Sequence, residues 1–324
     1  MNHTEKIKGA LTGLCAADAL GVPVESAGRE SLSENPVTDM RGNGAHNQPA
    51  GTWSDDTSMT LCLADSLAGG LDYNDIMRKF SLWAFKSEYT PHGKMFGIGQ
   101  RTSRALFKFS KGTPPLQCGG GAESDNGNGS LMRILPLAFY LRSVYGNDFS
   151  GCDEAFDTIH NVSALTHAHA RSKIACGIYI SVAGNLINGL YPKNGIYAGI
   201  NEAKEYYGVK PEFASEFDHF SRILSDGFKA LPQKDIKSGA YVVETLEAAF
   251  WCLLNTSDYE SCVLKAVNLG GDADTVAAVA GGLAGICYGC EAIPSGWLDR
   301  IARLEFVTEI CEKFRKSLCD MSVL

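Results

Sequence analysis

Two short acidic clusters at opposite ends of the chain constrain its fold most strongly. They are Ser54-Asp55-Asp56-Thr57 and Asp272-Ala273-Asp274-Thr275, each of which follows a glycine-bearing turn and opens a small, apolar segment. A helix start needs only one Ser, Thr or Asp oxygen to cap its free amides. Each cluster offers several such oxygens. We therefore interpret the two clusters as one metal site, which the fold has to assemble from distant parts of the chain.

The ligand chemistry narrows the choice of ion. Oxygen ligands without a nearby His or Cys suit magnesium, manganese or calcium better than zinc or copper. Two clusters can share a pair of divalent cations, and such pairs activate water for hydrolysis. The alternative is a pair of well-capped surface helices, because the helix dipole also favours acidic side chains at a helix start. The presence of two such clusters favours a metal site over capped helices, because aspartates gathered without a cation would repel one another.

Length and composition are those of an ordinary globular protein. The chain has 324 residues, of which 45% are hydrophobic and 20% charged, so it can build a large core as one domain or two. Because it has no Pro/Ser linker, low-complexity tract or fixed-period repeat, we predict a single domain over residues 1–324. The net charge of −8 without basic runs argues against nucleic acid and anionic membranes as partners.

The N-terminal segment and the cysteines predict a cytoplasmic protein. An apolar stretch follows Lys6 and Lys8, but it is short and interrupted by Asp18, unlike a signal peptide. No run approaches the length of about 18 apolar residues that a membrane helix needs. The 11 cysteines are scattered among apolar neighbours, which predicts reduced core residues rather than disulfides. Cys287 and Cys290 form the only CxxC, and core packing explains them better than zinc because no further ligands lie nearby.

Most of the chain shows helical apolar spacing or an alanine-rich helical composition, and strand alternation is nearly absent. The predicted helices are 7–20, 59–68, 73–85, 101–109, 131–141, 170–187, 242–254 and 276–288. Glycines recur every four residues at Gly281, Gly285 and Gly289, and likewise at Gly9 and Gly13. Each glycine costs a helix up to about 1 kcal/mol against Ala. We therefore expect these two helices to approach their neighbours closely.

Five motifs are spread over almost the whole chain. They are the segment 9–25, SDDT at 54–57, NGNGSLMR at 126–133, TH at 166–167 and GGDADT at 270–275. In their order and spacing the chain resembles the ADP-ribosylglycohydrolase family. This family includes the dinitrogen reductase activating glycohydrolases and the ADP-ribosylarginine and ADP-ribosylserine hydrolases.

The resemblance implies a compact all-α fold with a binuclear Mg²⁺ or Mn²⁺ centre at the base of an ADP-ribose cleft. The positions that match the family's metal ligands are Ser54, Asp55, Asp56, Asp272, Asp274 and Thr275. Among these, Asp55, Asp56 and Asp274 would fix the ions for catalysis. Glu25 matches an acidic position that reorganises in some members when substrate binds, and it would polarise water or gate the site. The alternative for Glu25 is a carboxylate that caps the loop after Pro23.

Two glycine-bearing loops and a histidine resemble the family's nucleotide-holding segments. The matching residues are Gly97, Gly99, Gly127, Asn128, Gly129, Ser130 and His167. An Asn-Gly pair also suits a hairpin turn, but the helix-like sequence from Leu131 onward favours a helix start whose amides hold the diphosphate. His169 is an unmatched neighbour of His167 and is typical of a helix start.

The implied reaction is hydrolysis of the bond at the anomeric carbon of ADP-ribose. The substrate would be an ADP-ribosylated protein side chain or small molecule, and the products would be free ADP-ribose and the unmodified acceptor. Gly97 aligns where several arginine-directed members carry Asp, which argues against an arginine preference. Two other classes stay open, because fold and site type do not determine the reaction. One is a binuclear-metal phosphoesterase or nucleotide hydrolase, and the other is a non-catalytic ADP-ribose-binding protein.

Overall fold

The computed structural model describes residues 3–321 and confirms an all-α fold. Within that range there is no strand, and the only sheet-like pairings are isolated bridges between Asn43 and Gln48, Gly120 and His167, and Gly127 and Tyr241. The helices are α1 His3–Gly21, α2 Arg29–Glu34, α3 Asp55–Leu67, α4 Tyr73–Lys86, α5 Gln100–Ser110, α6 Pro136–Tyr145, α7 Asp153–Ala164, α8 Ala170–Ile187, α9 Pro192–Gly208, α10 Ala214–Phe217, α11 Val242–Leu254, α12 Tyr259–Val267, α13 Ala273–Tyr288, α14 Ser295–Leu298 and α15 Leu304–Met321.

Most of the predicted helices are confirmed, and one is wrong. The predicted helix 131–141 is a single 3-10 turn, Leu131–Arg133, followed by α6 from Pro136. Proline has no backbone amide to donate to the preceding turn, whereas its fixed φ suits the first position of a helix. A new helix therefore begins at Pro136. No helix was predicted from the sequence at α2, α7, α9, α10, α12, α14 or α15.

The glycine spacing predicted that α1 and α13 each approach a neighbour closely, and the structure shows that they pack directly against each other. A Cβ on Gly9 would lie 2.3 Å from the carbonyl oxygen of Gly285, and one on Gly13 would lie 2.8 Å from that of Gly281. Only glycine allows this approach of the two backbones. The contact continues to the end of α1, where a Cβ on Gly21 would lie 2.3 Å from the Cα of Asp274. The packing thus brings the start of α13 beside the end of α1.

Helix α1 is a buried core helix. Contrary to the expectation from the sequence, the segment Thr4–Val24 is long and apolar enough to cross a membrane by length and composition. However, 94% of its most apolar part is buried inside the protein. The ammonium group of Lys6 donates to the carbonyl oxygens of Leu186 and Ile187 at 3.0 and 2.8 Å. It thereby caps the negative end of α8. Cytoplasmic location and the absence of a membrane partner stay predictions.

Buried apolar side chains from α1 to α15 form one continuous cluster. Cys62, Cys176 and Cys252 lie in it as buried free thiols, which agrees with their predicted packing role. A single domain over residues 1–324 stays a prediction, and residues 1–2 and 322–324 lie outside the described range.

Asp65 of α3 ties the C-terminal helix to the core. Its carboxylate accepts hydrogen bonds from Lys313 Nζ of α15 and from the Tyr89 hydroxyl, both at 2.5 Å, and it contacts Lys79 Nζ of α4. Burial alone would raise the pKa of Asp65, but these three donors outweigh it and lower the pKa to about 2. The ionised carboxylate is therefore the form that stabilises the fold.

Asp65→Asn is expected to lower the free energy of unfolding at neutral pH by about 2 kcal/mol, because charge-assisted hydrogen bonds are lost at a buried site. The folded-state pKa lies below the unfolded value of about 3.9. The contribution is therefore complete above about pH 4 and is lost as the pH falls towards 2. Urea unfolding of both proteins at pH 7 and near pH 3 measures the effect, since their difference should shrink in acid. The same difference at both pH values would contradict this assignment.

Candidate active site and metal centre

Asp18, near the end of α1, holds the start of α3. Its carboxylate accepts hydrogen bonds from the amide of Ser54 at 2.9 Å, the amide of Thr57 at 3.1 Å and the hydroxyl of Thr57 at 2.6 Å. The first acidic cluster is thereby fixed against α1, beside the start of α13. Asp18 was not among the site residues predicted from the sequence. The feature that could have indicated it is a single carboxylate inside an apolar, glycine-bearing helix.

The two acidic clusters meet at Asp56. Its Oδ2 accepts hydrogen bonds from the hydroxyl of Ser54 at 2.9 Å and from the hydroxyl of Thr275 at 3.4 Å. Asp274 Oδ1 accepts the amide of Thr275 at 2.9 Å. The structure therefore brings the clusters from the two ends of the chain together at the starts of α3 and α13.

Asp272 connects the second cluster to the asparagine-glycine loop. The side-chain amide of Asn128 donates to Asp272 Oδ2 at 2.6 Å and to the hydroxyl of Thr245 at 2.9 Å. Asn128 thus fixes the carboxylate orientation of a predicted metal ligand. This contact makes Asn128 a link between the acidic centre and the loop predicted to hold the nucleotide.

The electrostatics of the centre fit divalent cations. Burial raises the pKa of Asp55, Asp56 and Asp274 well above the usual value, and repulsion between neighbouring carboxylates adds to the shift. Asp56 Oδ1 is buried without a hydrogen-bond partner. Carboxylate oxygens of Asp18, Asp56 and Asp274 lie within 4.8 Å of one another. A hard divalent ion would neutralise these charges and give the free oxygen a partner.

One cavity joins the acidic centre to the predicted substrate loops. The lining includes the acidic-centre residues Glu25, Asp55, Asp272, Asp274 and Thr275 and the predicted substrate residues Gly97, Gly99, Gly127, Asn128, Gly129 and His167. Ser130 is not in this lining. Its side chain is fully buried and its hydroxyl accepts a hydrogen bond from Ser163. Five further lining residues were not among the predicted site residues, namely Gln100, Arg101, Thr102, Met132 and Ala240.

Two glycines of the cavity wall leave no room for a side chain. Gly97 has a φ of +83°, and a Cβ there would lie 2.5 Å from Asp55 Oδ1. A Cβ on Gly129 would lie 2.8 Å from Cε1 of His167. The carboxylate of Asp55 therefore already lies where a side chain at position 97 would begin.

The asparagine-glycine loop does not open an α-helix as expected, because the residues after it, Leu131–Arg133, form a single 3-10 turn. The amide of Asn128 donates to the carbonyl oxygen of Ala240 at 3.1 Å, and that of Val242 donates to Asn126 at 3.1 Å. These bonds tie the loop to the start of α11. Besides the starts of α3 and α13, the cavity lining includes the start of α5, from Gly99 to Thr102. The dipole of α5 and the charge of Arg101 favour an anion there.

His167 is kept neutral by burial, and its Nδ1 lies at the end of a buried chain of hydrogen bonds. The guanidinium of Arg133 donates to the hydroxyl of Thr166 at 2.8 Å, and that hydroxyl lies 2.8 Å from His167 Nδ1. Burial lowers the pKa of His167 to about 3, and the charges of Arg133 and Arg101 act in the same direction. Because Thr166 accepts from Arg133, its own proton is free to bond Nδ1. The Nε2–H of His167 then remains for a ligand.

Comparison with known proteins decides the family. The model of the family described as ADP-ribosylglycohydrolase matches residues 1–321. The chain belongs to the ADP-ribosylglycohydrolase family. Membership confirms the resemblance carried by the sequence motifs and makes this protein a glycosidic-bond hydrolase. The family uses divalent metal ions.

Relatives of this ADP-ribosylglycohydrolase are named for ADP-ribosylarginine and for ADP-ribosyl-[dinitrogen reductase]. It is 32% identical over 312 residues to the ADP-ribosylarginine hydrolase Tri1 of Serratia proteamaculans, covering 95% of this chain and 78% of Tri1. It is 32% identical over 302 residues to the ADP-ribosyl-[dinitrogen reductase] glycohydrolase of Rhodospirillum rubrum, covering 92% and 90% of the two chains. A solved ADP-ribosylglycohydrolase-related protein complex superposes with a TM-score of 0.78 at 30% identity, covering 99% of each chain.

Replacing Asp18 is expected to weaken metal binding by this ADP-ribosylglycohydrolase. In Asp18→Asn one oxygen becomes an NH₂ group, which cannot accept the bonds that hold Ser54 and Thr57 in place. Loss of a partner that orients metal ligands typically costs about 10- to 100-fold in affinity. Calorimetric titration with Mn²⁺ measures it, with the exposed Asp299→Asn as a matched control. Wild-type affinity in a folded Asp18→Asn protein would refute this role.

Proposed function

We propose that this protein is a divalent-metal-dependent hydrolase that releases ADP-ribose from a modified side chain or small acceptor by cleaving the bond at the anomeric carbon. One observation carries the proposal. A single cavity contains both the acidic centre and the start of α5 with Arg101 and His167. Such a cavity has an anion-binding end, which suits the diphosphate of ADP-ribose. It also has a cation-binding centre, whose ions would bind the ribose hydroxyls.

The anion-binding end would hold the diphosphate. The free amides at the start of α5 and the guanidinium of Arg101 favour negative charge. Arg101 is itself oriented by the carbonyl oxygen of Ser124, to which its Nε donates at 2.9 Å. His167 would add an uncharged Nε2–H donor. The terminal ribose would then lie towards Asp55, Asp272 and Asp274.

The acidic centre would supply the attacking water. Two Mg²⁺ or Mn²⁺ ions held by Ser54, Asp55, Asp56, Asp272, Asp274 and Thr275 would provide Lewis acidity, which orients ribose hydroxyls and lowers the pKa of a bound water. Asp18 positions the SDDT segment, and Asn128 orients Asp272.

Glu25 lies in the cavity wall, where its carboxylate can accept a proton from the attacking water. The water oxygen forms a bond to the anomeric carbon as the bond from that carbon to the acceptor breaks. The proton then passes to the departing acceptor atom. The products are ADP-ribose with a free anomeric hydroxyl and the unmodified acceptor.

We propose arginine as the acceptor to test first. The relative from Serratia proteamaculans is named an ADP-ribosylarginine hydrolase, and so is a 30% identical relative from Pseudomonas putida. Glu25 supplies a carboxylate in the cavity wall beside the metal ligands, and carboxylates are the partners that guanidinium groups prefer. Although position 97 is a glycine, this region still contains a carboxylate, because the side chain of Asp55 lies against Gly97.

The proposal is tested by product analysis with matched arginine-linked and serine-linked ADP-ribosyl peptides and Mn²⁺. Chromatography should show free ADP-ribose and intact unmodified peptide, with faster release from the arginine linkage. Faster release from serine would keep the reaction and overturn the acceptor. Appearance of AMP would indicate a phosphoesterase or nucleotide hydrolase instead. Binding of ADP-ribose without any release, in an assay where a known hydrolase works, would indicate a non-catalytic binding protein.

Thr166→Val is expected to weaken ADP-ribose binding about tenfold, because Nδ1 of His167 loses its hydroxyl partner and the Arg133 guanidinium keeps only its longer bonds to the carbonyl oxygen of Val162. Thr166→Ser keeps the hydroxyl and should bind like wild type. Titration of the free nucleotide measures both variants. In the same proteins, the imidazole nitrogen chemical shifts of His167 should change in Thr166→Val alone. Equal binding by the two variants would contradict a role for the hydroxyl.

A further inference from the structure

His46 lies against the acidic centre, although the sequence predicted a centre with oxygen ligands alone. Its Nε2 contacts the carboxylate of Glu25. The ligand atoms of His46, Glu25 and Asp274 all lie within 4.8 Å of one another. Asp274 also belongs to the oxygen group that it forms with Asp18 and Asp56. Asp274 is therefore common to two potential ion positions, and one of them includes a nitrogen.

The backbone around His46 is built to place the ring there. Gly44 has a φ of +64°, and a Cβ on it would lie 1.9 Å from the carbonyl oxygen of Pro23. The turn that carries His46 thus packs directly on the turn that carries Glu25. The imidazole also packs on Phe96, with ring centroids 5.1 Å apart. Such packing holds a ligand in place before an ion binds.

The turn that carries Glu25 is in turn fixed to the start of α13. The amide of Ser26 donates to the carbonyl oxygen of Gly271 at 2.6 Å. Ser26 has a φ of +64°, which is unusual for a residue with a side chain. The unpartnered buried oxygen of Asp56 is independent evidence that the neighbouring centre takes a cation.

We propose that Nε2 of His46 is a ligand of one of the two divalent ions and makes that position selective for Mn²⁺ over Mg²⁺. The inference rests on the proposed function, because it assigns a ligand within the same metal centre. Imidazole is a good ligand for transition metals, whereas Mg²⁺ prefers an oxygen environment with retained water. The position formed by Glu25, His46 and Asp274 is mixed in this sense. The position formed by Asp18, Asp56 and Asp274 has oxygen ligands only.

The test uses the full chain loaded with Mn²⁺ and measured by electron spin-echo envelope modulation, which detects nitrogen bound directly to manganese. Wild type should show nitrogen coupling, and His46→Ala should lose it. Calorimetry should show that His46→Ala binds one of two Mn²⁺ ions about 10-fold or more weakly, while Mg²⁺ binding changes about threefold or less. The control is His219→Ala, because His219 contacts Arg171 and belongs to neither group of potential metal ligands. Far-ultraviolet circular dichroism checks that each variant folds.

The outcomes separate this inference from the proposed function. Two bound Mn²⁺ ions without nitrogen coupling in wild type would overturn the role of His46 and leave the metal centre standing. Unchanged coupling in His46→Ala would also overturn it, because another nitrogen would be the ligand. A wild-type protein that binds no divalent ion would overturn both the inference and the proposed centre. If His46→Ala slows turnover yet keeps both Mn²⁺ affinities, His46 orients Glu25 by a hydrogen bond and the inference fails.

Discussion

Asp274→Asn is expected to reduce the release of ADP-ribose about a thousandfold or more. Asp274 is the residue common to both potential ion positions, so its loss removes a charged ligand from each. Asn has nearly the same shape but carries no charge, which isolates the electrostatic effect. The rate is measured with arginine-linked peptide and saturating Mn²⁺, and bound manganese is counted by mass spectrometry. Bound manganese should fall together with the rate.

The control for the rate is the exposed Asp226→Asn, which should keep the wild-type rate.

The stability of the metal-free protein gives a second check. Burial raises the folded-state pKa of Asp274 well above the unfolded value of about 3.9. Without metal, the native state of wild type therefore loses stability as the pH rises above about 4. Chelated Asp274→Asn should be at least as stable as chelated wild type at pH 7. Full turnover by a folded Asp274→Asn protein would contradict the assigned role.

Gly285→Ala is expected to lower the free energy of unfolding by about 3 kcal/mol, at the upper end of the usual cost of overpacking. Its new Cβ would lie 2.0 Å from the carbonyl oxygen of Gly9. That atom belongs to the backbone of α1 and cannot rotate away, so the two helices have to separate. Separation also moves Asp18 on α1 away from Asp274 on α13. Mn²⁺ affinity should therefore fall along with stability.

The matched control is Gly296→Ala, because no atom lies within 4 Å of the Cβ it would add. Urea unfolding of wild type and both variants gives the free energies, and Mn²⁺ titration of the native proteins gives the affinities. Gly296→Ala should change neither quantity. Wild-type stability in Gly285→Ala would show that the helix contact at Gly9 is looser than described.

Local pattern was sufficient for much of the fold. The helices α8 and α11 have the predicted bounds, Ala170–Ile187 and Val242–Leu254. The glycine spacing also predicted the close approach of α1 and its neighbour. Helix α9 was missed because glycine and asparagine lower its intrinsic helix propensity. Close packing against α8 compensates for this low propensity. A Cβ on Gly199 would lie only 2.4 Å from the amide nitrogen of Val182 in α8, so the glycine allows the two helices to approach.

The site was predicted where one short segment carries several functional residues. The SDDT and DADT segments showed an excess of oxygen ligands that capping does not need. Asp18 and His46 were missed because each is a single residue whose role depends on contacts made by the folded chain. Asp18 acts through residues about 40 positions away, and His46 acts through the turn at Pro23. From the sequence, the asparagine-glycine loop was predicted as the helix start that holds the diphosphate, and the start of α5 was not. No local pattern shows that this loop is hydrogen-bonded to the start of α11.

The most direct test of the proposed function is the rate of ADP-ribose release from an arginine-linked peptide by protein stripped of divalent ions, before and after Mn²⁺ is restored. The carboxylates gathered at the starts of α3 and α13 predict almost no release from the stripped protein. They also predict recovery of the original rate when Mn²⁺ is added. A rate that is the same with and without the ion would contradict a metal-dependent hydrolase.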